Sequence, residues 1–183
     1  MTAEREADRK RGFLFADLVG FTEFTEQRGD EAGAEIAIAF CYHVCELNRG
    51  HGAEDVKMIG DACMIHIPEP APAVELALGI VERIGPERGF PRVRVGLDWG
   101  RATRRRDDWF GTTVNTAARL AAAADEGSVL TTVRMREAAQ GLTGVGFASR
   151  GLCRLRGLRE PLELYAAIRA TGPGQVRPAV ARS

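Results

Sequence analysis

The stretch VKMIGDACM, residues 56–64, predicts a β-hairpin and with it the class of fold. Gly60 and Asp61 form a two-residue turn of the glycine-first kind between DVKMI (55–59) and ACMIHI (62–67), which both have strand composition. The hairpin also carries Lys57, and lysine is rare in this chain, where arginine is used almost everywhere else. Lys57 in a strand and Asp61 at the tip of the turn are therefore candidates for a functional role.

The segments on both sides of the hairpin alternate between strand and helix composition. Residues 12–19 (GFLFADLV) form a predicted strand, and a short polar helix is expected to follow. Asp30 is the predicted N-cap of a long helix over 31–48, whose apolar residues recur at helical spacing. Thr112 or Thr113 is expected to cap a later helix. The other predictions are a chain break at the prolines 68, 70 and 72, a helix over 73–84, a polar connection over 101–108, and strands over 91–100, 128–132, 145–150 and 162–168.

This order of elements predicts an α+β fold, with a mostly antiparallel sheet and helices packed on one face of it. At 183 residues, the chain is long enough to bury a single core. We expect one domain over residues 12–170, between a flexible N-terminal arm (1–11) and a flexible C-terminal tail (171–183).

Composition excludes several classes of function. The formal net charge is zero, which provides no bulk attraction to nucleic acid or to anionic lipid. The N-terminus is charged and lacks the apolar region of a secretory signal, and the longest apolar stretch, roughly 34–44, is too short to span a membrane. We therefore expect a cytoplasmic protein without a membrane segment. The four cysteines are expected to be reduced, buried thiols, because no second Cys or His pair follows Cys41 and Cys45 at metal-ligand spacing.

Two aspartates are candidates for a metal site. Asp17 ends the first predicted strand, and Asp61 lies at the tip of the hairpin. If these strands are neighbours, the two carboxylates converge at one edge of the sheet, an arrangement that suits Mg²⁺. The alternative is that each is an ordinary turn residue.

Two further segments have the composition of a phosphate site. Gly20, before a polar helix, would let backbone N–H groups approach a phosphate closely. Asn115 and Arg119 lie four residues apart, on one helix face, and could hold a phosphate together. The alternatives are a plain strand–helix turn and a solvated helix face.

Four stretches together resemble a known family. They are DLVGFT (17–22), VKMIGDACM (56–64), VRVGLDWGR (93–101) and DDWFGTTVNTAARL (107–120). In this order and spacing they are similar to the catalytic domain of the class III nucleotidyl cyclases, and the resemblance runs from about Phe13 to Ile168. It implies a fold with a ferredoxin-like βαββαβ core and the conversion of a nucleoside triphosphate, usually ATP, into a 3′,5′-cyclic nucleotide.

The resemblance also implies a role for each matching position. Asp17 and Asp61 match two metal-binding aspartates, with the carbonyl of Leu18 as a further ligand, for two divalent cations, Mg²⁺ or Mn²⁺. Lys57 and Asp108 match the pair that reads the base. The remaining matches are Asn115 and Arg119 as transition-state residues, Gly20, Phe21 and Thr22 as the backbone stretch that contacts the phosphates, and Arg101 and Arg156 as phosphate-contacting arginines.

The chemistry of the base-reading pair favours ATP. Lys57 can only donate and ionised Asp108 can only accept, which complements the N1 acceptor and 6-amino donor of adenine. Guanine presents the inverse pattern, and a mismatched buried polar group costs about 1–3 kcal/mol. The resemblance further implies a head-to-tail homodimer, in which one protomer supplies the metal aspartates of a site and the other supplies Lys57, Asp108, Asn115 and Arg119.

Other functions stay open at this point. A guanylyl cyclase is the nearest alternative, although Lys57 and Asp108 argue against it. A catalytically silent nucleotide-binding or dimerisation module is the second, but such modules usually lack one of the matched residues, all of which are present. The arginine run 104–106 is interpreted as a solvated hairpin, or as a contact to the partner subunit or to the triphosphate. It is short and has no aromatic platform, so nucleic-acid binding is not expected.

Overall fold

The computed structural model describes residues 10–170. The predicted tail and residues 1–9 of the predicted arm lie outside the described residues, whereas Arg11 already belongs to the first strand and not to an arm. The first elements are β1 (Arg11–Leu18), α1 (Phe21–Arg28), α2 (Asp30–Asn48), β2 (Asp55–Ile59), β3 (Ala62–Ile67), α3 (Pro70–Arg83) and β4 (Val93–Gly100). The later elements are β5 (Thr103–Arg105), β6 (Asp108–Phe110), α4 (Thr112–Ala123), β7 (Val129–Thr132), α5 (Val133–Ala138), β8 (Val145–Cys153) and β9 (Leu162–Arg169).

The centre of the fold is a seven-stranded sheet with the order β2-β3-β1-β4-β7-β9-β8. Its neighbouring strands are antiparallel except for β4 and β7, which run parallel. Strands β1 to β4, together with α2 and α3, follow each other in the order βαββαβ. The predicted α+β class and its mostly antiparallel sheet are therefore confirmed. β5 and β6 form a separate two-stranded hairpin beside this sheet.

The helices lie on both faces of the sheet, so the prediction of helices on one face was wrong. Leu14 of β1 belongs to the main core, together with residues of α2 and α3 such as Phe40 and Leu76. The preceding residue, Phe13, points to the opposite face and belongs to a second cluster with Val114 of α4. The reason is visible in β1 itself, which is apolar at consecutive positions, as expected for a strand that is covered on both sides.

Several helix starts also differ from the predictions. Pro70 and Pro72 do not break the chain but lie in the first turn of α3, where a missing backbone N–H costs nothing. The N-cap positions of α2 and α4 are Gly29 and Gly111, without a side-chain cap. Asp30 is instead the first helical residue of α2, where its charge still favours the helix N-terminus.

Helix α4 lies unusually close to β4. A Cβ atom added to Gly96 would be 2.0 Å from the backbone nitrogen of Ala121 and 2.3 Å from the carbonyl oxygen of Ala117. Backbone atoms of the helix therefore occupy the space that any side chain at this position would need. This close contact fixes the position of α4, which carries Asn115 and Arg119.

We expect Gly96→Ala to destabilise the fold by at least about 3 kcal/mol, because neither backbone can move away without disrupting the sheet or the helix. Gly79→Ala in α3 is the matched control, since an added Cβ there meets nothing within 4 Å. This control is expected to gain about 0.5–1 kcal/mol from helix propensity. Urea unfolding of both variants measures the two effects, and equal stabilities would contradict the close contact.

The prediction that the four cysteines are reduced, buried thiols is confirmed only in part. Cys63 is buried and Cys41 and Cys153 are partly buried, but Cys45 is exposed on α2. All four are free thiols. Burial, followed by the neighbouring Cys41, raises the pKa of the Cys63 thiol, which is therefore a protonated part of the core.

Over residues 10–170, none of the helices combines the length and the apolar character that crossing a membrane requires.

Candidate active site

Asp17 and Asp61 are brought together at the end of β1. Asp17 pairs with Ala62 across the β1–β3 ladder, so that Asp61, in the adjacent turn, is its neighbour. Burial and then the charge of Asp17 raise the pKa of the Asp61 carboxyl. Two neighbouring carboxylates repel each other when both are ionised, which is a common property of cation sites.

Arg94 of β4 holds Asp17, a contact that sequence reasoning missed. Its Nε and Nη2 atoms donate to Asp17 Oδ2 at 2.8 and 2.6 Å, and its Nη1 atom donates to the carbonyl of Ala122 in α4 at 3.2 Å. Both bonds to Asp17 use the same carboxylate oxygen. The only signal in the sequence was the alternation RVRV over 92–95, since the contact depends on the register in which Asp17 faces Arg94.

The donor set at Asp17 and Asp61 fits a hard divalent cation. Carboxylate and carbonyl oxygens are the ligands that Mg²⁺ and Mn²⁺ prefer, and Leu18, the last residue of β1, places its backbone beside them. Among the described residues, no group of three or more His, Cys, Asp or Glu side chains is placed to hold a metal ion. A cation at this edge would therefore take its remaining ligands from water and from a phosphate.

Lys57 and Asp108 form a direct ion pair. Lys57 Nζ donates to Asp108 Oδ2 at 2.9 Å, although 51 positions separate the two residues in sequence. The other carboxylate oxygen, Oδ1, accepts the backbone N–H of Trp109 at 2.9 Å. The hydrogen bond from Lys57 and then that from Trp109 lower the pKa of Asp108, so that its carboxyl group is ionised at neutral pH. Both side chains are partly exposed and accessible to a ligand.

A buried aromatic cluster lies beside this pair. The indole of Trp109 stacks on the imidazole of His66, with ring centroids 4.4 Å apart, and meets Phe13 edge-on at 5.5 Å. Trp109 Nε1 also donates to Asp55 Oδ2 at 3.4 Å. Sequence reasoning did not single out these residues. Trp109 directly follows Asp108, and Asp55 lies two residues before Lys57 on one strand, which is the only local sign of their association.

We expect His66 to destabilise the fold as the pH falls from about 6.5 towards 4. Burial and then the charge of Arg11 lower the pKa of His66 from 6.5 to about 4. Between these values the unfolded chain binds more protons than the folded chain, so the stability that neutral His66 provides above pH 6.5 is progressively lost on acidification. The limiting slope is about 1.4 kcal/mol per pH unit.

Denaturant unfolding of the wild type and of His66→Gln between pH 8 and 4.5 measures this effect. The wild type should lose stability relative to the variant as the pH falls, while other titrating groups cancel in the difference. Above pH 7, His66 is neutral in both the folded and the unfolded chain. The difference in unfolding free energy between wild type and variant then reflects packing alone and serves as the internal control. A difference that does not change with pH would contradict the buried, neutral state of His66.

Gly20, Phe21 and Thr22 lie where β1 meets α1. Gly20 adopts a left-handed conformation at the N-cap position, with φ 72° and ψ 22°. Its space is open, since an added Cβ atom would meet only the side chain of Glu23, at 3.8 Å. Phe21 and Thr22 are the first helical residues, so that their backbone N–H groups lie in the unsatisfied first turn of α1. This turn directly follows Asp17 and Leu18.

Asn115 and Arg119 are both exposed on α4. The guanidinium of Arg119 lies beside the loop between β8 and β9, where a Cβ atom built on Gly157 would be 3.9 Å from its Nε. Arg156 is exposed in the same loop, directly before Gly157. Arg101 is exposed after β4, and its carbonyl accepts a hydrogen bond from Thr113 at 2.8 Å.

The predicted site residues thus form three local groups within one chain. Asp17 and Asp61 meet at the end of β1, Lys57 meets Asp108, and Arg119 lies beside the loop of Arg156. Among residues 10–170, no hydrogen bond or ion pair joins the two aspartates at the end of β1 to the other two groups. Within residues 10–170 of one chain, direct polar contacts therefore do not link the two aspartates to the other groups.

The sequence of this chain matches a family of nucleotidyl cyclases. The family model for the adenylate and guanylate cyclase catalytic domain matches residues 4–168, which is most of the chain. The chain therefore belongs to the adenylate and guanylate cyclase catalytic domain family.

Sequence relatives include several bacterial adenylate cyclases. A pH-sensitive adenylate cyclase of Mycobacterium tuberculosis is 38% identical over 169 residues, which are 87% of this chain and 42% of the relative. An adenylate cyclase of Streptomyces coelicolor is 38% identical over 127 residues, which are 69% of this chain and 33% of the relative. The chain thus spans less than half of the length of these relatives.

Solved structures confirm the fold. The adenylyl cyclase CyaB from P. aeruginosa superposes with a TM-score of 0.78 at 20% identity, over 90% of this chain and 96% of that structure. The guanylate cyclase domain of RhGC from Catenaria anguillulae, in complex with GTP, superposes with a TM-score of 0.77 at 19% identity, over 89% of this chain and 98% of that structure. Since cyclases for either nucleotide share the fold equally well, only the side chains of the site can indicate the substrate.

Proposed function

We propose that this chain is an adenylyl cyclase catalytic domain, which converts ATP into 3′,5′-cyclic AMP and pyrophosphate. The observation that carries the proposal is the ion pair between Lys57 and Asp108 at 2.9 Å. It places one donor and one acceptor side by side, both partly exposed, in the pattern that complements the edge of adenine. The relatives described as adenylate cyclases support the same substrate.

The remaining residues are assigned to the triphosphate and to the reaction. The first turn of α1, at Gly20, Phe21 and Thr22, offers backbone N–H groups to phosphate oxygens. Arg119 would stabilise the charge that develops on the α-phosphoryl group, and Asn115 would orient the ribose for in-line attack by its 3′-hydroxyl. Arg101 and Arg156 are assigned to the other phosphates.

Asp17, Asp61 and the carbonyl of Leu18 would hold two divalent cations, Mg²⁺ or Mn²⁺. When bound, these cations would supply the positive charge that activates the ribose hydroxyl and neutralises the triphosphate. Arg94 contacts only Oδ2 of Asp17, and this contact orients the carboxylate. Burial and then the neighbouring charge of Asp17 raise the pKa of Asp61, and a cation would favour the ionised form of both carboxylates.

We further propose that the complete site forms between two copies of the chain, arranged head to tail. Two observations support this arrangement: among residues 10–170 of one chain, no hydrogen bond or ion pair links the two aspartates to the other groups, and apolar side chains are exposed near them. Met58 and Ile59 are each 46% exposed on the hairpin that carries both Lys57 and Asp61. Phe110, two residues after Asp108, is 55% exposed. A second copy would cover this surface.

Product formation by the purified protein tests the proposed activity. The protein is incubated with ATP or GTP, each with Mg²⁺ or Mn²⁺, and the products are separated by chromatography. Cyclic AMP from ATP, with little cyclic GMP from GTP, is expected. Cyclic GMP as the main product would instead identify a guanylyl cyclase. A folded dimer that forms neither product under any of these conditions would contradict the proposed activity.

A further inference from the structure

The hairpin that carries Asp108 is not part of the main sheet. Among the strands within residues 10–170, β5 and β6 pair only with each other, so no ladder of backbone hydrogen bonds there fixes Asp108 relative to Lys57 on β2. The ion pair alone cannot fix this geometry, because both side chains are partly exposed and the lysine side chain is long and flexible. Other contacts must therefore determine where the donor and the acceptor stand.

Trp109 is the principal anchor of the hairpin. Only 7% of it is exposed, and it belongs to a core cluster with Phe13, Met64 and Val114. Its indole stacks on the buried imidazole of His66 at a centroid distance of 4.4 Å. Because Trp109 directly follows Asp108, the position of its ring limits how far the carboxylate can move. Its backbone N–H also donates to Asp108 Oδ1 at 2.9 Å.

Asp55 connects the hairpin to the strand of Lys57. Its Oδ2 atom accepts a hydrogen bond from Trp109 Nε1 at 3.4 Å and lies 3.9 Å from Nη2 of Arg104 on β5. Asp55 therefore contacts both strands of the hairpin. It is two residues from Lys57 on β2, so that both side chains stand on the same face of the strand. β6 is thus tied to β2 by two adjacent contacts, Asp55 with Trp109 and Lys57 with Asp108.

We propose that Asp55 and Trp109 are positioning residues that set the discrimination between ATP and GTP, an inference that rests on the proposed function. Neither residue needs to touch the nucleotide. They fix the position of the Lys57 donor and the Asp108 acceptor relative to each other and to the edge of the base. Without them the ion pair can still form, but it can move as a unit and accommodate either purine edge.

The ratio of kcat/KM for ATP to kcat/KM for GTP measures this role. Asp55→Ala and Trp109→Phe should each lower the ratio about 2–10-fold, the range expected for one hydrogen bond. The loss should arise mainly from a higher KM for ATP, with a smaller change in kcat. Asp55→Asn keeps an acceptor for the indole N–H and should largely preserve the ratio. In a Lys57→Ala background, Asp55→Ala should have no further effect on the ratio.

Asp107→Asn is the matched control for charge. Asp107 is exposed at the turn of the same hairpin and, within residues 10–170, makes no side-chain hydrogen bond or ion pair. Asp107→Asn should leave the ratio of kcat/KM values unchanged. The thermal unfolding temperature of every variant is measured as well, because it shows whether a variant has lost its fold and not only its discrimination between ATP and GTP. Variants of Asp55 and Trp109 that lower the unfolding temperature but keep the wild-type ratio would overturn the inference.

The inference and the proposed function can fail separately. If the wild type forms no cyclic product, the proposed activity fails, and discrimination is then measured as the ratio of Kd values for ATP and GTP by calorimetry. A lower binding ratio in Asp55→Ala would still support the positioning role. An unchanged binding ratio, or a wild type that binds neither nucleotide, would overturn it.

Discussion

Arg119→Ala is expected to reduce turnover about 10³–10⁵-fold, the contribution of a well-placed arginine in other phosphoryl-transfer enzymes. The fold should not change, because Arg119 is exposed on α4. The buried side chains of this helix, such as Ala117 and Leu120, are retained. The guanidinium lies beside Gly157 in the β8–β9 loop, next to Arg156. Its removal should therefore affect the charge available to the substrate and not the core.

Steady-state kinetics with ATP, together with the unfolding temperature, measure the effect. Since the arginine is assigned to charge that develops in the transition state, kcat should fall much more than KM rises. Arg119→Lys should recover only part of the rate, because an ammonium group cannot make the forked contact of a guanidinium. Arg83→Ala, which removes an exposed arginine from the last turn of α3, is the matched control and should be neutral. Turnover that survives in Arg119→Ala would remove this residue from the mechanism.

The elements that could be predicted from the sequence are those with strong local signals. The hairpin at 55–67 is an example, because Gly60 occupies the left-handed region, with φ 62°, where glycine is favoured. The order of strands and helices followed from similar local patterns, and it was sufficient to predict the α+β class. The expected contact between Lys57 and Asp108 came from the resemblance to a family, since nothing local relates two residues 51 positions apart.

The features that could not be predicted depend on long-range packing. The placement of α4 on the second face of the sheet depends on Gly96, where the backbones of helix and strand are in contact, and a glycine in a strand does not reveal this. The contact between Arg94 and Asp17 depends on the register of β1 and β4. The segment 101–108 was interpreted as a polar connection because its arginines mask the short strand that Trp109 anchors. Tertiary contacts decided all three.

Mixing two inactive variants is expected to restore activity if the sites are shared between two copies of the chain. Asp17→Asn should be inactive because it removes a carboxylate from the proposed cation site, while its shape is retained beside Arg94. Asn115→Ala should be inactive because it removes the group assigned to the ribose. In a mixed dimer, one site then contains both substitutions and the other contains neither.

The size of the recovery follows from counting sites. After full subunit exchange at equal concentrations, about half of the dimers are mixed, and each has one intact site out of two, so that about a quarter of the wild-type activity should return. Exchange must be verified independently, for example by native mass spectrometry of differently labelled chains. A sample that exchanges subunits but stays inactive would contradict the shared site.

A second mixture distinguishes sharing from any general stabilisation by the partner. Asp17 and Asp61 meet within one chain, so Asp17→Asn and Asp61→Asn damage the same half of the site. A dimer of these two variants has one substitution in each site and should stay inactive. Arg119→Ala mixed with Asp17→Asn should behave like the first mixture, because Arg119 is assigned to the same half of the site as Asn115 and lies on the same helix. This pattern would assign each residue to its half of the site, since complementation occurs only between substitutions in opposite halves.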